Sequence, residues 1–397
     1  MSSKAEIGER AGVERRASNF TTQLYTVSYL ILFSIFGTLA RLGIQWLTFY
    51  PGAPVIFSEL WANVGGSFIM GFLSNDTSLF SSSPGPSADE EKGAGGAQSA
   101  TIKEPHPMHA ANKKTIPLYI GLATGFCGSF TSFSSFMRDA FLALSNNLAT
   151  PSSTNTTITP SRHNGYSVEA LIAVLLTTTA LSLAALLSGA HLALLLSPYT
   201  PTLPPRLLRR VLDPLTVFLA LGAWLAALFM TIWPPDRPSG PQSRSGGWSA
   251  ETWRGQALFA CLFAPPGCLL RFLASLKLNA LAPSFPLGTF AVNVFGTAVL
   301  GMAYDLQHVR LTAPGAMAVA GGGRIGCQVL QGIEDGFCGC VTTVSTWVAE
   351  MRGLRRGHAY VYGVGSVGLG VGVMVVVMGS VRWTTGFVEP ICATGRG

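Results

Sequence analysis

Two stretches of the chain carry the same glycine-bracketed, hydroxyl-rich motif. Residues 125–136 read GFCGSFTSFSSF, and residues 336–347 read GFCGCVTTVSTW. Paired glycines in an apolar segment favour a break in a helix, and a break leaves backbone carbonyls without their helical donors. The alternative is that the glycines only allow helices to pack closely. A motif that occurs twice predicts one site built from two related halves.

The hydroxyl groups of the two copies are candidate donors for an anion. They belong to Thr131 and Ser134 in the first copy and to Thr342 and Ser345 in the second. The alternative, which is common in membrane helices, is that each hydroxyl bonds a carbonyl of its own helix.

One asparagine stands alone in each of two other apolar segments. Asn63 lies in WANVGGSFIMG, and Asn293 lies in VNVFGTAVLG. A side-chain amide inside a membrane is costly without a partner, and its NH₂ group can donate to a small anion. The alternative is a hydrogen bond between helices. The matched positions, with the resemblance described below, favour amides that line a pore.

An arginine precedes each asparagine at the same interval. Arg41 closes GTLAR, and Arg271 closes GCLLR. Near the aqueous end of a span, a guanidinium group either attracts anions into a vestibule or extends to the lipid headgroups. The sequence favours neither role. Three features therefore recur in the same order in both halves.

The composition is that of an integral membrane protein. Of the 397 residues, 11% are charged and 48% are hydrophobic, whereas a soluble domain has roughly 25% charged residues. The net charge of +7 does not predict nucleic-acid binding, because the basic residues form no run with interleaved aromatics. The six histidines are dispersed, and no histidine or acidic pair repeats near the two copies of the motif, which disfavours an enzyme. The cysteines form no metal-type pairs and predict buried thiols.

Nine apolar segments are long enough to cross a membrane as helices, which takes about 20 residues each. The spans of a first repeat are predicted at 23–47, 55–73, 115–143 and 167–196. The spans of a second repeat are predicted at 255–277, 285–303, 327–349 and 358–383. A linking transmembrane helix is predicted at about 212–234.

These spans divide the chain into four parts. Residues 1–22 are polar and predict a cytosolic tail. The first four-helix repeat occupies 23–198 and includes a loop at 74–114 whose Ser, Gly, Pro and charge predict disorder. The linker occupies 199–250, and the second repeat occupies 251–397.

One linking span between two four-helix units reverses the orientation of the second unit. The sequence therefore predicts an all-α integral membrane protein of two inverted four-helix repeats joined by one transmembrane helix. Inverted repeats place a shared site near the midplane, commonly at broken helices. Lys and Arg are more frequent in the segments on the side of the amino terminus. This bias predicts a cytosolic amino terminus and a carboxyl terminus outside, and we expect the plasma membrane.

The motifs resemble those of the CrcB/Fluc family of fluoride channels, in particular its fused, two-repeat eukaryotic branch of fluoride exporters. Both dodecamers resemble the family pattern GxxGxxTTFSTF, and the early arginine and the lone asparagine accompany each of them. The resemblance covers both repeats. It implies a passive channel that exports fluoride from the cytosol, acting in the lipid bilayer as a single chain that forms an internal pseudo-dimer.

The resemblance also implies a phenylalanine box formed by Phe133 and Phe136. The rim of an aromatic ring is positive, so ring edges can face an anion, although core packing is the alternative. The second copy departs from this pattern, with Val344 and Trp347 at the corresponding positions. Its box is therefore expected to be impaired.

In the family, each of two pores combines helices of one half with aromatic residues of the other. Asn293 would then work with the intact box, while Asn63 would face the altered one. We therefore expect one pore to dominate.

A central structural Na⁺ is a further implication of the resemblance. Backbone carbonyls at Gly128 and Thr131 and at Gly339 and Thr342 would hold it, and no organic cofactor is expected. Ligation by oxygen alone suits a hard cation.

Two rival functions remain open at this point. Inverted repeats equally suit a transporter for another small anion or solute, which competition among halides would distinguish. A membrane scaffold or enzyme that binds a partner through 74–114 is the other rival.

Overall fold

The computed structural model describes residues 2–80, 113–151, 157–158, 163–234, 254–309, 323–390 and 392. Within these residues the fold is almost entirely helical, as expected for long apolar segments in which each backbone group must be paired. Most of the segment predicted to be disordered, at 81–112, lies outside the described residues.

The first half contains five helical elements. They are α1 (Ser2–Thr48), α2 (Glu59–Asn75), α3 (Pro117–Ile120, the π-helical Gly121–Cys127 and Gly128–Phe130), α4 (Phe133–Leu144) and α5 (Asn164–Leu196). Between α4 and α5, strands β1 (Thr150–Pro151) and β2 (Thr157–Ile158) pair antiparallel, with Thr150 opposite Ile158. Helix α1 begins well before the predicted span, because the polar residues at its amino end are also helical.

The linking element and the second half follow the same pattern. They are α6 (Pro205–Leu207, the π-helical Leu208–Leu212 and Asp213–Ile232), α7 (the π-helical Arg254–Leu258 and Phe259–Leu278, then the 3-10 turn Asn279–Leu281), α8 (Leu287–His308), α9 (Gly323–Gly332, the π-helical Ile333–Cys338 and Gly339–Val341), α10 (Ser345–Gly353) and α11 (Arg356–Thr384).

Six helices of the described residues are long and apolar enough to cross a membrane. They are Asn19–Thr48, Gly165–Leu196, Pro205–Ile232, Arg254–Leu281, Leu287–His308 and Arg356–Thr384. The other three predicted spans do not form a single helix long enough to cross a membrane. Helix α2 has 17 residues, and the segments predicted at 115–143 and 327–349 are each interrupted. Nine crossings therefore stay a prediction.

The helices that follow the two interruptions lie against helices of both halves. Helix α4 packs against α5, α8 and α11, while α10 packs against α11, α2 and α5. Helix α1 packs against α6 and α7. The interior where these elements meet holds both copies of the repeated motif, and the largest buried side chains include Trp347, Phe133 and Phe136.

Helices α2 and α5 approach each other at two glycines. A Cβ at Gly71 would lie 2.0 Å from the carbonyl oxygen of Leu186, and one at Gly189 would lie 2.0 Å from that of Phe68. Such backbone contact is typical of membrane helices, in which small residues let backbones come close. The position of α2 therefore depends on α5.

Lys113 closes the carboxyl end of α2. Its Nζ donates to the carbonyl oxygen of Leu73 at 2.7 Å and to that of Asp76. Burial lowers the pKa of Lys113 to about 8. A cation at this end interacts favourably with the helix dipole and pairs carbonyls that have no helical donor.

Cysteines behave as predicted except at one pair. Cys327 in α9 forms a disulfide with Cys392, which follows α11. The other cysteines of the described residues are free and buried. Spacing alone did not reveal this pair, because the two positions are far apart in sequence.

Replacing Gly189 with alanine is expected to lower the melting temperature of the purified protein. The new Cβ would meet the Phe68 carbonyl oxygen, so α2 and α5 must separate. Overpacking of this kind costs about 1–3 kcal/mol. Gly222→Ala in α6 is the matched control, since its Cβ would meet nothing within 4 Å. An unchanged melting temperature for Gly189→Ala would contradict the close approach.

Candidate functional site at the two helix breaks

Both copies of the repeated motif interrupt a helix. Thr131, after the end of α3, has φ −102° and ψ 144°, and Thr342, after the end of α9, has φ −100° and ψ 159°. These are extended conformations. The glycines that predicted the break are themselves helical, with φ −68° at Gly128 and −61° at Gly339. The chain therefore breaks three residues after the glycine.

The two lone asparagines hold the broken backbone. Asn63 Oδ1 accepts from the backbone N–H of Ser132 at 2.9 Å, and its Nδ2 donates to the Ser132 carbonyl at 3.4 Å. Asn293 makes the same pair of bonds with Thr343, at 2.9 Å and 3.2 Å. Both side chains are fully buried. In this structure each amide thus bonds the break of its own half.

This arrangement removes the helical donor of one glycine carbonyl in each half. In an uninterrupted helix the carbonyl of Gly128 would accept from the N–H of Ser132, and that of Gly339 from Thr343. Both N–H groups instead donate to asparagine. The two glycine carbonyls therefore lack their helical donors.

The two halves exchange threonine hydroxyls across the breaks. Thr342 Oγ1 accepts from the backbone N–H of Phe133 and of Ser134, each at 3.1 Å. Thr131 Oγ1 accepts from the N–H of Val344 at 3.2 Å and of Ser345 at 3.1 Å. A hydroxyl that accepts from the first N–H groups of a helix acts as its N-cap. Each post-break helix thus receives a cap from the other half, in addition to local bonds to Ser132 Oγ and Thr343 Oγ1.

The serine hydroxyls follow the same exchange. Ser134 Oγ donates to the carbonyl of Cys338 at 3.3 Å, and Ser345 Oγ donates to that of Cys127 at 3.1 Å. The threonine hydroxyls at 131 and 342 also bond these carbonyls, which belong to their own helices. All four hydroxyls predicted to face an anion therefore lie in one buried network around the breaks.

The guanidinium groups of Arg41 and Arg271 lie within this interior. Both side chains are buried, at 0% and 2% exposed. Arg41 Nη1 donates to the carbonyl of Gly339 at 2.8 Å, and its Nη2 donates to that of Asp335. Arg271 Nε donates to the Cys340 carbonyl at 2.7 Å. In the part of the chain that the structure describes, neither forms an ion pair.

The motif glycines make room for these guanidinium groups. A Cβ at Gly128 would lie 2.2 Å from Arg271 Nη1, and one at Gly339 would lie 2.1 Å from Arg41 Nη2. Each arginine therefore packs onto the glycine of the opposite half. This contact explains why both positions are glycine although their backbone is ordinary helix.

The aromatic positions of the two copies lie side by side. The ring of Phe133 is 5.9 Å from that of Phe136 in an edge-to-face arrangement. It is also 5.4 Å from the ring of Trp347 at an interplanar angle of 69°. All three side chains and Val344 are buried in one cluster. The intact and the altered aromatic sets are thus in contact.

Two of the four carbonyls predicted to hold Na⁺, those of Gly128 and Gly339, are candidate oxygen ligands. Gly128 and Gly339 have lost their helical donors, and oxygen ligands suit a hard cation. The Gly339 carbonyl already accepts from Arg41, but a carbonyl oxygen has a second lone pair. The oxygen donors therefore suit a hard cation, but the guanidinium groups of Arg41 and Arg271 lie against the same two glycines, and their positive charge opposes one.

A second polar network was not predicted from the sequence. Glu350 in α10 accepts from Asn279 Nδ2 at 3.0 Å, from Thr289 Oγ1 at 2.7 Å and from the Tyr362 hydroxyl at 2.7 Å. Ser366 Oγ donates to the Tyr362 carbonyl. An acidic residue directly after the segment predicted at 327–349 was the available signal, but its partners come from three other elements.

Comparisons with known proteins agree with the two-fold pattern of the motifs. The model of the family described as CrcB-like protein, Camphor Resistance (CrcB), matches residues 28–190 and 258–380. Fluoride export protein 1 of Neurospora crassa is 53% identical over 98% of this chain and 74% of its own length. Fluoride export protein 1 of Candida albicans is 32% identical over 89% of this chain and 79% of its own length.

A bacterial relative matches only part of the chain. The fluoride-specific ion channel FluC of Pseudomonas paraeruginosa is 35% identical over 32% of this chain, which covers 95% of the bacterial protein. No solved structure matches. Because the family model matches both halves and more than half of the residues, the chain belongs to the CrcB-like family.

Proposed function

We propose that this protein is a fluoride-selective passive channel that exports F⁻ from the cytosol down its electrochemical gradient. The observation that carries the proposal is the 53% identity, over nearly the whole chain, to a fungal fluoride export protein. The bacterial relative named as a fluoride-specific ion channel supports a channel over a coupled transporter. A transporter for another small anion or solute is therefore the less favoured alternative.

A path for fluoride must offer hydrogen-bond donors and the positive edges of aromatic rings in place of the water that the ion loses. The network around the breaks contains both the hydroxyls at 131, 134, 342 and 345 and the first turns of two helices. Helix N-termini favour anions, because their N–H groups and dipole are positive there. The guanidinium groups of Arg41 and Arg271 add positive charge in a medium where charge is weakly screened. The interior is therefore electrostatically suited to an anion.

No pump is required for export. HF enters as a neutral acid and dissociates in the less acidic cytosol. A negative-inside potential then drives each anion outward with about 2.3 kcal/mol per 100 mV. We infer a channel rather than an enzyme, since conduction needs no bond to form or break.

One of two paths is proposed to dominate. The favoured path combines Asn293 with Phe133 and Phe136, and the packing of α4 against α8 supports that combination. The other path combines Asn63 with Val344 and Trp347. Phenylalanine edges at both box positions favour the first path.

Inverted repeats in a nine-span chain are part of the proposal. The exchanged hydroxyl bonds of Thr131 and Thr342 support it, because a two-fold relation makes contacts reciprocal. The amino terminus is placed in the cytosol and the carboxyl terminus outside the plasma membrane. The disulfide of Cys392 supports this orientation, since disulfides persist in oxidising compartments.

A structural Na⁺ at the carbonyls of Gly128, Thr131, Gly339 and Thr342 completes the proposal. Such an ion would join the two halves at their breaks.

Fluoride efflux from liposomes that contain the purified protein tests the function. Liposomes loaded with fluoride are expected to lose it down its concentration gradient. Chloride efflux is expected to stay at the level of protein-free liposomes. Asn293→Asp is expected to lower fluoride efflux at least roughly tenfold, because a carboxylate repels the anion and loses the Nδ2 donor. Asn63→Asp is expected to have a smaller effect.

Equal losses for the two variants would contradict a dominant path. Absence of fluoride efflux from monodisperse wild-type protein would contradict the channel itself.

Epitope tags placed before Met1 and after Gly397 test the orientation. In intact cells the carboxyl-terminal tag is expected to react with antibody, and the amino-terminal tag only after permeabilisation. Two tags with the same accessibility would exclude an odd number of crossings.

Replacing Na⁺ with N-methylglucamine during purification tests the ion site. The melting temperature is expected to be higher in Na⁺, since a bound ligand at 100 times its Kd stabilises by about 2.7 kcal/mol. Choline as a second large cation controls for ionic strength. Equal melting temperatures in all three salts would argue against a structural Na⁺.

A further inference from the structure

The indole N–H of Trp347 is a buried donor without an acceptor. The side chain is 0% exposed, and Nε1 has no hydrogen-bond partner among the described residues. An indole nitrogen can only donate. Leaving a buried donor unpaired costs about 1–3 kcal/mol, so native proteins rarely keep one without a reason such as a water or an ion.

Two buried serine hydroxyls lie on helices that pack against the helix of Trp347. Helix α10, which carries Trp347, packs against α2 and α5. Ser67 in α2 and Ser182 in α5 are each 0% exposed, and neither hydroxyl has a hydrogen-bond partner in the part of the chain that the structure describes. Three orphan polar groups therefore lie on three helices that pack together.

The corresponding positions of the other path do not have these unpaired groups. Thr297 follows Asn293 by the same interval at which Ser67 follows Asn63. Its hydroxyl donates to the Asn293 carbonyl at 2.7 Å. At the position that corresponds to Trp347, the first copy has Phe136, which carries no polar atom. At these corresponding positions, the unpaired polar groups are the ones on the side of the altered aromatic box, although other buried atoms without a partner, such as Ser129 Oγ, lie elsewhere in the described residues.

The known neighbour of Trp347 does not satisfy its N–H. Phe133 is in ring contact at 5.4 Å, and the face of a benzene ring is a weak acceptor compared with an anion. A phenylalanine edge offers fluoride only polarised C–H groups, whereas an indole offers a full N–H donor. Tryptophan at 347 can therefore compensate for the ring that Val344 lacks.

We propose that the indole N–H of Trp347 is a fluoride ligand on the path that contains Asn63, so that this path conducts. The proposal rests on the proposed function and assigns the departure from the family pattern a chemical role. Ser67 and Ser182 supply further hydroxyl donors on the same side.

The test replaces only the N–H group of the Trp347 indole. In an Asn293→Asp background, Trp347 is exchanged for its benzothienyl analogue, in which sulfur stands in place of the N–H. Fluoride efflux from liposomes is expected to fall roughly tenfold, the change that about 1.4 kcal/mol produces. In an Asn63→Asp background, where the path that contains Trp347 is already impaired, the same exchange is expected to have a smaller effect.

A second readout does not depend on transport. In protein that is otherwise wild type, fluoride is expected to raise the melting temperature when position 347 is tryptophan and to raise it less with the analogue. Without fluoride the analogue is expected to be neutral or stabilising, because it removes an unpaired donor. Trp224 provides the matched control, since its Nε1 donates to the Leu262 carbonyl at 3.0 Å. The analogue there should lower the melting temperature and leave the fluoride response intact.

Three results would overturn the proposal. The first is equal efflux with tryptophan and the analogue in the Asn293→Asp background. The second is no residual efflux in that background although the wild type conducts, which would leave the proposed function intact. The third is absence of fluoride efflux from the wild type, which would remove the proposed function as well.

Discussion

Everything around the site depends on one requirement, the pairing of backbone groups where two helices break inside an apolar interior. Water cannot satisfy these groups at membrane depth, and each one left unpaired costs several kcal/mol. The structure meets the requirement with side chains. Asn63 and Asn293 bond the backbone just after each break, and Thr131 and Thr342 cap the helices that follow. The polar residues are therefore structural before they are functional.

A second consequence is the placement of positive charge. Because each asparagine diverts the N–H that a glycine carbonyl would otherwise accept, those carbonyls suit cationic partners. The guanidinium of Arg41 bonds one of them, and that of Arg271 lies against the other glycine. A carbonyl only partly offsets a cation, so the interior keeps a positive character. The same breaks that demand pairing thus create an environment for an anion.

The sequence predicted the breaks because they depend on local pattern. Glycines, hydroxyls and their repetition lie within a dozen consecutive residues, and the break follows each glycine pair closely. The partners were not predictable, because they come from the other half. Nothing local indicates that Thr342 caps α4 or that Arg41 reaches Gly339. The unpaired N–H of Trp347 appears only after every neighbour has been placed.

The exchange of caps has a consequence for synthesis in the membrane. Phe133 and the threonine that caps it are 209 residues apart in the chain. At about 5–20 residues per second, a ribosome needs roughly 10 to 40 s to cover that interval. During this time the start of α4 has no partner from the second half. Until the second half is made, the start of α4 therefore has only its local cap, the Ser132 hydroxyl that accepts from the N–H of Ser135 at 3.1 Å.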